Sequence, residues 1–232
     1  MFLLNTLLDA SIIYSFDKSG FIRHQKYFSP LKKDMAGIRC LITGANAGIG
    51  YATAYELAKK NAEIWMLCRN QTKAEKSKIE LIEKTNNTNI HILCIDMSCL
   101  ESIRAAVQNF PPKNIDVLIH NAGILPTKHQ TSPQGFDLCL ATNLIGPYLL
   151  NKLLLPKISQ NGRIILVSSG GMYPVKLNLS KLENPPDPYD GVKAYAQTKR
   201  AQVILGQIWA NQQTPIKVHT MHPGWVDTGG VR

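Results

Sequence analysis

From Arg39 onward, short apolar runs alternate with longer stretches in which apolar residues recur at helical spacing. Cys40–Ile42, Glu63–Cys68, Ile90–Ile95, Ile115–Ile119, Arg163–Val167 and Ile216–Met221 are mostly apolar, as strands covered on both faces are. Helical patterning falls between them: Tyr51–Lys60, Gln71–Lys84, a segment capped by Ser98 and running to about Phe110, a long segment over about Ser132–Lys157, and Asp190 to about Asn211. Repeated strand–helix units of this kind predict an α/β domain: a three-layer, doubly wound parallel sheet whose ligands lie at the carboxyl ends of the strands.

Residues 1–37 stand apart from this repeat. Phe2, Leu3, Leu4, Leu7, Leu8, Ile12, Ile13 and Phe16 recur at roughly helical spacing, interrupted by Asn5, Thr6 and Asp9. The run is too short and too broken to span a bilayer, which takes about 20 apolar residues, and it lacks the positive start of a secretory signal. An amphipathic helical leader is expected, followed by a linker. It either docks on its own domain or lies on a membrane face through residues 1–16. The remainder, 38–232, is read as one domain, since 232 residues suit a single sizeable core.

Composition narrows the partners. A hydrophobic share of 44% and a charged share of 18% are ordinary for a folded protein. The net charge of +10 comes from scattered lysines and arginines with no aromatic-interleaved basic stripe, so no nucleic-acid partner is expected. Five cysteines, Cys40, Cys68, Cys94, Cys99 and Cys139, show neither C-x-x-C nor zinc-finger spacing. A reducing, cytoplasmic compartment and no metal follow as expectations, with the first three cysteines buried in strands.

Candidate chemistry sits at the strand ends. After the first run comes Thr43-Gly44-Ala45-Asn46-Ala47-Gly48-Ile49-Gly50, three glycines within seven residues ahead of a helix. Gly44 suits backbone angles a Cβ forbids, Gly48 a close approach by pyrophosphate, and Gly50 tight helix–strand contact. Amides of the helix's first turn would face the phosphates of a dinucleotide; the G-x-x-x-G-x-G spacing departs from the general G-x-G-x-x-G fingerprint and by itself also suits a plain glycine-rich turn, so context decides. Arg69 stands after the second strand, where an acidic residue would favour NAD; an arginine suits a 2′-phosphate, so NADP is preferred and NAD stays open. Asp96 can accept from the adenine amino group or cap the following helix. Asn121-Ala122-Gly123 offers small residues where backbone lies close to a flat ring.

Tyr195 and Lys199, four apart on a helix, put a phenol and an ammonium on one face. A free phenol has a pKa of about 10, and a nearby ammonium, together with the cationic ring of an oxidised nicotinamide, is expected to lower it. Tyr195 then serves as general acid toward a carbonyl oxygen or base toward an alcohol. Ser169 can hydrogen-bond the same oxygen, and Asn143 can hold a water linking Lys199 to solvent.

Together, Thr43-Gly44-x-x-x-Gly48-x-Gly50, Asn121-Ala122-Gly123, Asn143, Ser168-Ser169, Tyr195-x-x-x-Lys199 and Pro223-Gly224-x-x-x-Thr228 resemble the classical short-chain dehydrogenase/reductase pattern, in that family's order. The resemblance implies a Rossmann-fold NAD(P)-dependent oxidoreductase with Asn143, Ser169, Tyr195 and Lys199 as its catalytic tetrad. Lys199 would also hold the nicotinamide ribose, Asp96 would lie at adenine, and Pro223 to Thr228 would run along the carboxamide and pyrophosphate. Asn46, Ile49 and Met97 complete the cofactor wall. Two departures stand out. His120 replaces an asparagine and reads as a structural strand-end residue. The sequence stops at Arg232, where relatives continue into a substrate-covering segment and a seventh strand, so both are expected to be absent and the sixth strand to be an edge.

The expected partner is a small carbonyl or alcohol, chosen by the loop Met172–Gly191, where Leu177, Leu179 and Leu182 hint at an apolar wall. A homo-oligomer is an open alternative. A nucleotide-binding scaffold without turnover is the competing function.

Overall fold

In the computed structural model, residues 17–30, 33–111, 114–212, 215–224 and 226 are described; the leader Met1–Phe16 and the cofactor candidate Thr228 lie outside the described residues. Helix α1 (Lys18–Gln25) is capped by the Asp17 carboxylate, which accepts from the Gly20 amide at 2.9 Å. The six strands are β1 (Arg39–Thr43), β2 (Glu63–Cys68), β3 (Ile90–Cys94), β4 (Ile115–His120), β5 (Ile158–Val167) and β6 (Lys217–Met221). They pair in parallel throughout, in the order β3-β2-β1-β4-β5-β6. That reversal of direction at β1 and β4 is the switch point of a doubly wound sheet, where ligands bind.

The helices are α2 (Gly48–Ala58), α3 (Gln71–Thr85), α4 (Leu100–Gln108), a short α5 (Leu138–Leu140), α6 (Gly146–Leu154), α7 (Leu179–Glu183) and α8 (Gly191–Gln212). Strand residues alternate between two cores. Cys40, Ile42, Ile64 and Met66 pack with Ala54 and Ala58 of α2 and Ala74 and Leu81 of α3. Leu41 and Leu67 face the other way, onto Ile103 of α4, Leu150 of α6 and Trp209 of α8. At about 25 cal/mol per Å² of apolar surface removed from water, these two layers supply most of the drive to fold. Leu138–Lys157 is long and apolar enough to cross a membrane, yet 56% of its most apolar window is buried inside the protein, as a core helix would be.

Several boundaries differ from the sequence expectation. Helix α2 starts at Gly48 rather than Tyr51, so its first turn includes two of the three glycines. Ser98 does not cap α4. It donates both its amide and its hydroxyl to Asp96 Oδ1, at 2.8 and 2.7 Å, and Cys99 takes the cap position. The long segment from Ser132 begins as a turn around Gly135 and becomes helical only at Leu138, behind the Asp137 cap. It then widens into a π-helical turn at Ala141–Ile145. Strand β5 begins five residues early, at Ile158, with a register shift against β4. Cys40 and Cys68 are buried as expected, but Cys94 is exposed, because it ends a strand at the edge of the sheet.

Candidate active site

The bend after β1 and the bend after β4 are stitched together at the switch point. The Thr43 hydroxyl, 1% exposed, accepts from the Asn121 and Ala122 amides at 2.9 Å each and faces the Ile119 carbonyl at 3.3 Å. The Asn121 carboxamide donates back to the Thr43 carbonyl at 2.9 Å. Gly44 sits at φ +67°, and a Cβ on Gly50 would lie 2.3 Å from the Gly44 carbonyl oxygen, so the bend tolerates no side chain there. The Ser77 hydroxyl ties the Asn46 carbonyl to α3 at 3.0 Å.

Beyond this bend, the N-terminus of α2 has no side-chain cap and no acidic residue in its first turn. Its free amides and the positive end of its dipole fit an anionic group. Arg69 follows β2 with its side chain 71% exposed, and its guanidinium stands 4.0 Å from Asp96 Oδ2. Asp96 therefore serves as the turn acceptor ahead of α4 while its second oxygen faces Arg69. Met97 is buried beneath α6, where a side chain on Gly146 would collide with the Met97 carbonyl oxygen.

On the other side of Gly123, α8 brings in Tyr195 and Lys199. Lys199 is 2% exposed, and its ammonium donates to the Val167 carbonyl, the last of β5, at 2.8 Å. Burial pulls its pKa down to about 8. A Cβ on Gly123 would lie 3.2 Å from Lys199 Nζ and 3.4 Å from Asn143 Oδ1, so a glycine here leaves the space above both atoms open. The Lys199 ammonium lies over the Tyr195 ring, 5.5 Å from its centre.

The Tyr195 phenol is not lowered by that ammonium, contrary to the sequence expectation. Burial pushes it up, against an opposing hydrogen bond with the Ser169 side chain. The physical reason is desolvation of the buried phenol, while Lys199 Nζ donates to the Val167 carbonyl and lies over the ring rather than bonding the hydroxyl among the described residues. Ser169 and Tyr195 are thus brought together, at the end of β5 and on the facing turn of α8.

Asn143 occupies the π-helical turn and is fully buried. Its carboxamide oxygen accepts from the Ile124 amide at 2.9 Å and its nitrogen donates to the Ile124 carbonyl at 3.0 Å. The side chain grips the strand-end segment beside Gly123 and has no direct bond to Lys199 among the described residues. Pro223 follows His222, whose Nδ1 accepts from the Gly224 amide at 2.8 Å. The His222 ring lies against Gly170, where a Cβ would come within 2.3 Å of Nε2, and so it joins the ends of β5 and β6.

Ser168 of the Ser168-Ser169 pair, and two residues not singled out in the sequence, Thr198 and Gln202, hold this frame. Ser168 donates to the Lys199 carbonyl at 3.0 Å, Thr198 bonds both Tyr195 and Asn143, and Gln202 reaches the Asn143 carbonyl at 2.5 Å. Thr198 and Gln202 lie on the inward face of the Tyr195 helix, and that spacing was the signal available. His120 is structural, as expected: it is 1% exposed, tilted toward Trp209 with ring centres 6.1 Å apart, and burial drives its pKa down to about 3.

A cleft of about 640 Å³ opens between Leu125–Thr127, just past Gly123, and Pro186–Lys193, which ends in the first turn of α8. Among the described residues no group of three or more His, Cys, Asp or Glu is placed to hold a metal.

Comparison with known proteins bears on the family and the fold. A family model described as short chain dehydrogenase matches residues 39–232. The Homo sapiens protein Dehydrogenase/reductase SDR family member 12 is 40% identical over 222 residues, which cover 94% of this chain and 70% of that protein. Retinol dehydrogenase 13 of Mus musculus is 31% identical over 201 residues, covering 84% of this chain and 60% of the relative. A Shigella flexneri 2a protein described as a short chain dehydrogenase, solved in complex with NADP, superimposes with a TM-score of 0.65 at 25% identity, over 83% of this chain and 80% of that one.

Proposed function

The chain belongs to the short-chain dehydrogenase/reductase family and is an NAD(P)-dependent oxidoreductase acting on CH–OH/C=O groups; on that premise we propose that it uses NADP(H) and that Tyr195 exchanges the proton at the substrate oxygen. The observation that carries this reading is the convergence of three groups: Ser169 at the end of β5, Tyr195 on the facing turn of α8, and the buried Lys199 ammonium over the Tyr195 ring, held by the Val167 carbonyl.

The residues present fit a dinucleotide. Gly44, Asn46, Gly48, Ile49 and Gly50 would receive the pyrophosphate at the uncapped start of α2, Asp96 and Met97 would flank adenine, and Asn121 and Gly123 would line the path to the ring. Arg69 would meet the 2′-phosphate, and NADP in the Shigella relative supports the same preference. Pro223 would border the carboxamide, with Thr228 beyond it. When bound, the nicotinamide supplies or accepts a hydride. Lys199 has one acceptor among the described residues, the Val167 carbonyl, which leaves protons on its ammonium for the ribose hydroxyls.

In the reductive direction Tyr195 gives its proton to the substrate oxygen as negative charge builds there, and Ser169 donates to the same atom. Its raised pKa keeps the phenol protonated at neutral pH and ready to give. In the oxidative direction it takes the proton back, with the neighbouring Ser169 side chain favouring the phenolate. Asn143 holds the Gly123–Ile124 segment from below.

The substrate is a small carbonyl or alcohol, which we place in the cleft between Leu125 and Val192; retinol dehydrogenase relatives support an apolar one. The five free thiols fit a reducing, cytoplasmic compartment. NADPH oxidation over a panel of aliphatic, aromatic and polyene aldehydes tests the reading. Wild type is expected to turn over at least one of them, and Tyr195→Phe to lose about a hundredfold or more in kcat. Equal rates in both proteins would overturn it, and tight NADPH binding without turnover of any aldehyde would favour a scaffold.

A further inference from the structure

The Thr198 hydroxyl stands where three elements of the site meet. It is 1% exposed and lies 2.7 Å from the Tyr195 carbonyl oxygen, 3.1 Å from Asn143 Nδ2 and 3.9 Å from Cys139 Sγ. A hydroxyl has one proton to give. The Tyr195 carbonyl can only accept, so the proton goes there, as in a helical threonine that bonds back to an earlier turn. The lone pairs then remain for the Asn143 amide.

Asn143 depends on that acceptor. Its Nδ2 has two protons, and the acceptors within reach are the Ile124 carbonyl at 3.0 Å, Thr198 Oγ1 at 3.1 Å and the weaker Cys139 sulfur at 3.2 Å. With the site fully buried, no bulk water replaces a lost partner. The main chain of Asn143 belongs to a π-helical turn, whose widened ladder frees carbonyls, and Gln202 Nε2 takes the Asn143 carbonyl at 2.5 Å. Helix α8 therefore grips this turn twice, one helical turn apart.

From this geometry we infer that Thr198 is a positioning residue for the reaction: its one hydroxyl locks the Asn143 carboxamide and the Tyr195 backbone into a single frame. The inference rests on the reading of Tyr195 as the proton-exchanging group. It assigns to Thr198 a role in turnover that is separate from cofactor affinity, since the contacts it makes lie behind Gly123 and away from the phosphate bend.

The test compares Thr198→Val, which keeps shape and deletes the hydroxyl, with Thr198→Ser, which keeps the hydroxyl, using NADPH and whichever panel aldehyde wild type reduces fastest. Thr198→Val is expected to lower kcat about tenfold, the effect of one buried hydrogen bond. The KM for NADPH should stay within about twofold, and Thr198→Ser should recover at least about half of wild-type kcat. In an Asn143→Ala background, Thr198→Val should cost less than about twofold more, because the two residues act as one unit. Wild-type kcat in Thr198→Val, or a loss that multiplies fully with Asn143→Ala, would overturn the inference. Should the valine variant not fold, Thr198→Cys carries the same comparison with a weakly bonding thiol of similar size. Tyr195→Phe separates the two levels: if it turns over like wild type the parent reading has failed, and if it is inactive while Thr198→Val is unimpaired, only the positioning role has.

Discussion

The Lys199 ammonium and the Val167 carbonyl oxygen are 2.8 Å apart, and that bond fixes a cation with almost no water contact at the end of strand β5. Burial lowers the lysine's pKa to about 8, so between pH 8 and its ordinary value of about 10.5 the unfolded chain binds more protons than the folded one. Stability therefore rises with pH across that window, and below it the buried charge costs on the order of 3 kcal/mol. Lys199→Met is expected to raise the thermal midpoint at pH 7 by several degrees, to gain less at pH 10, and to abolish turnover. Paired thermal scans at the two pH values check this. A variant less stable than wild type at pH 7 would contradict it.

If the proposed NADP preference holds, Arg69 is the residue expected to discriminate between the cofactors. Its guanidinium is exposed and close to Asp96, so a dianionic 2′-phosphate would gain a charge-assisted partner there. Arg69→Gln is expected to raise the KM for NADPH roughly thirtyfold, for a lost interaction of about 2 kcal/mol, and to leave that for NADH within about twofold. Steady-state kinetics with both cofactors give the answer.

His120 is a buried ring with neither nitrogen bonded in this structure. Burial depresses its pKa to about 3, so between about 6.5 and 3 the unfolded chain again binds the extra proton, and stability falls as pH drops through that window. His120→Asn, or His120→Leu, which carries no unsatisfied polar atom, should flatten that acid limb and leave the thermal midpoint at pH 8 unchanged or higher. Urea titrations at pH 5 and pH 8 compare the slopes.

Gly50→Ala would put a methyl group 2.3 Å from the Gly44 carbonyl oxygen and 2.5 Å from the Asn121 side-chain nitrogen Nδ2. Neither is the free end of a flexible chain, since Asn121 is itself bonded to Thr43. The variant is expected to lose NADPH binding and at least about 2 kcal/mol of stability, as overpacking at a closed site does. Fluorescence titration with NADPH and chemical denaturation read both effects.

Where the sequence was easy to read, local composition and tertiary role coincide. Strand β2 has the bounds its apolar run marks, because turn-forming asparagines sit close on either side of it. Tyr195 and Lys199 share a face because helical periodicity puts them there. The harder features are set by contacts distant in the chain. Polar Ser159 to Gly162 extend β5 only because Ile115 of β4 pairs with Ile158, and no local pattern records that. The π-helical turn continues the same apolar rhythm as its flanking helices and is held open by Gln202 and Thr198 from another element. Cys94 looks like a core residue until its strand is known to be an edge. The phenol's direction of shift is hidden from the sequence for a similar reason: spacing brings an ammonium near it but cannot say how deeply the phenol is buried or which carbonyl that ammonium will choose.

The Thr43 hydroxyl has a mechanical consequence. Because one oxygen anchors two successive amides of the opposite bend, the glycine bend after β1 and the bend after β4, proposed to receive the phosphates and the flat ring, share a single post. Neither can drift without dragging the other. A long ligand that seats at one end therefore finds the far end already in register, and the ordering such a ligand would otherwise have to impose is completed when the chain folds.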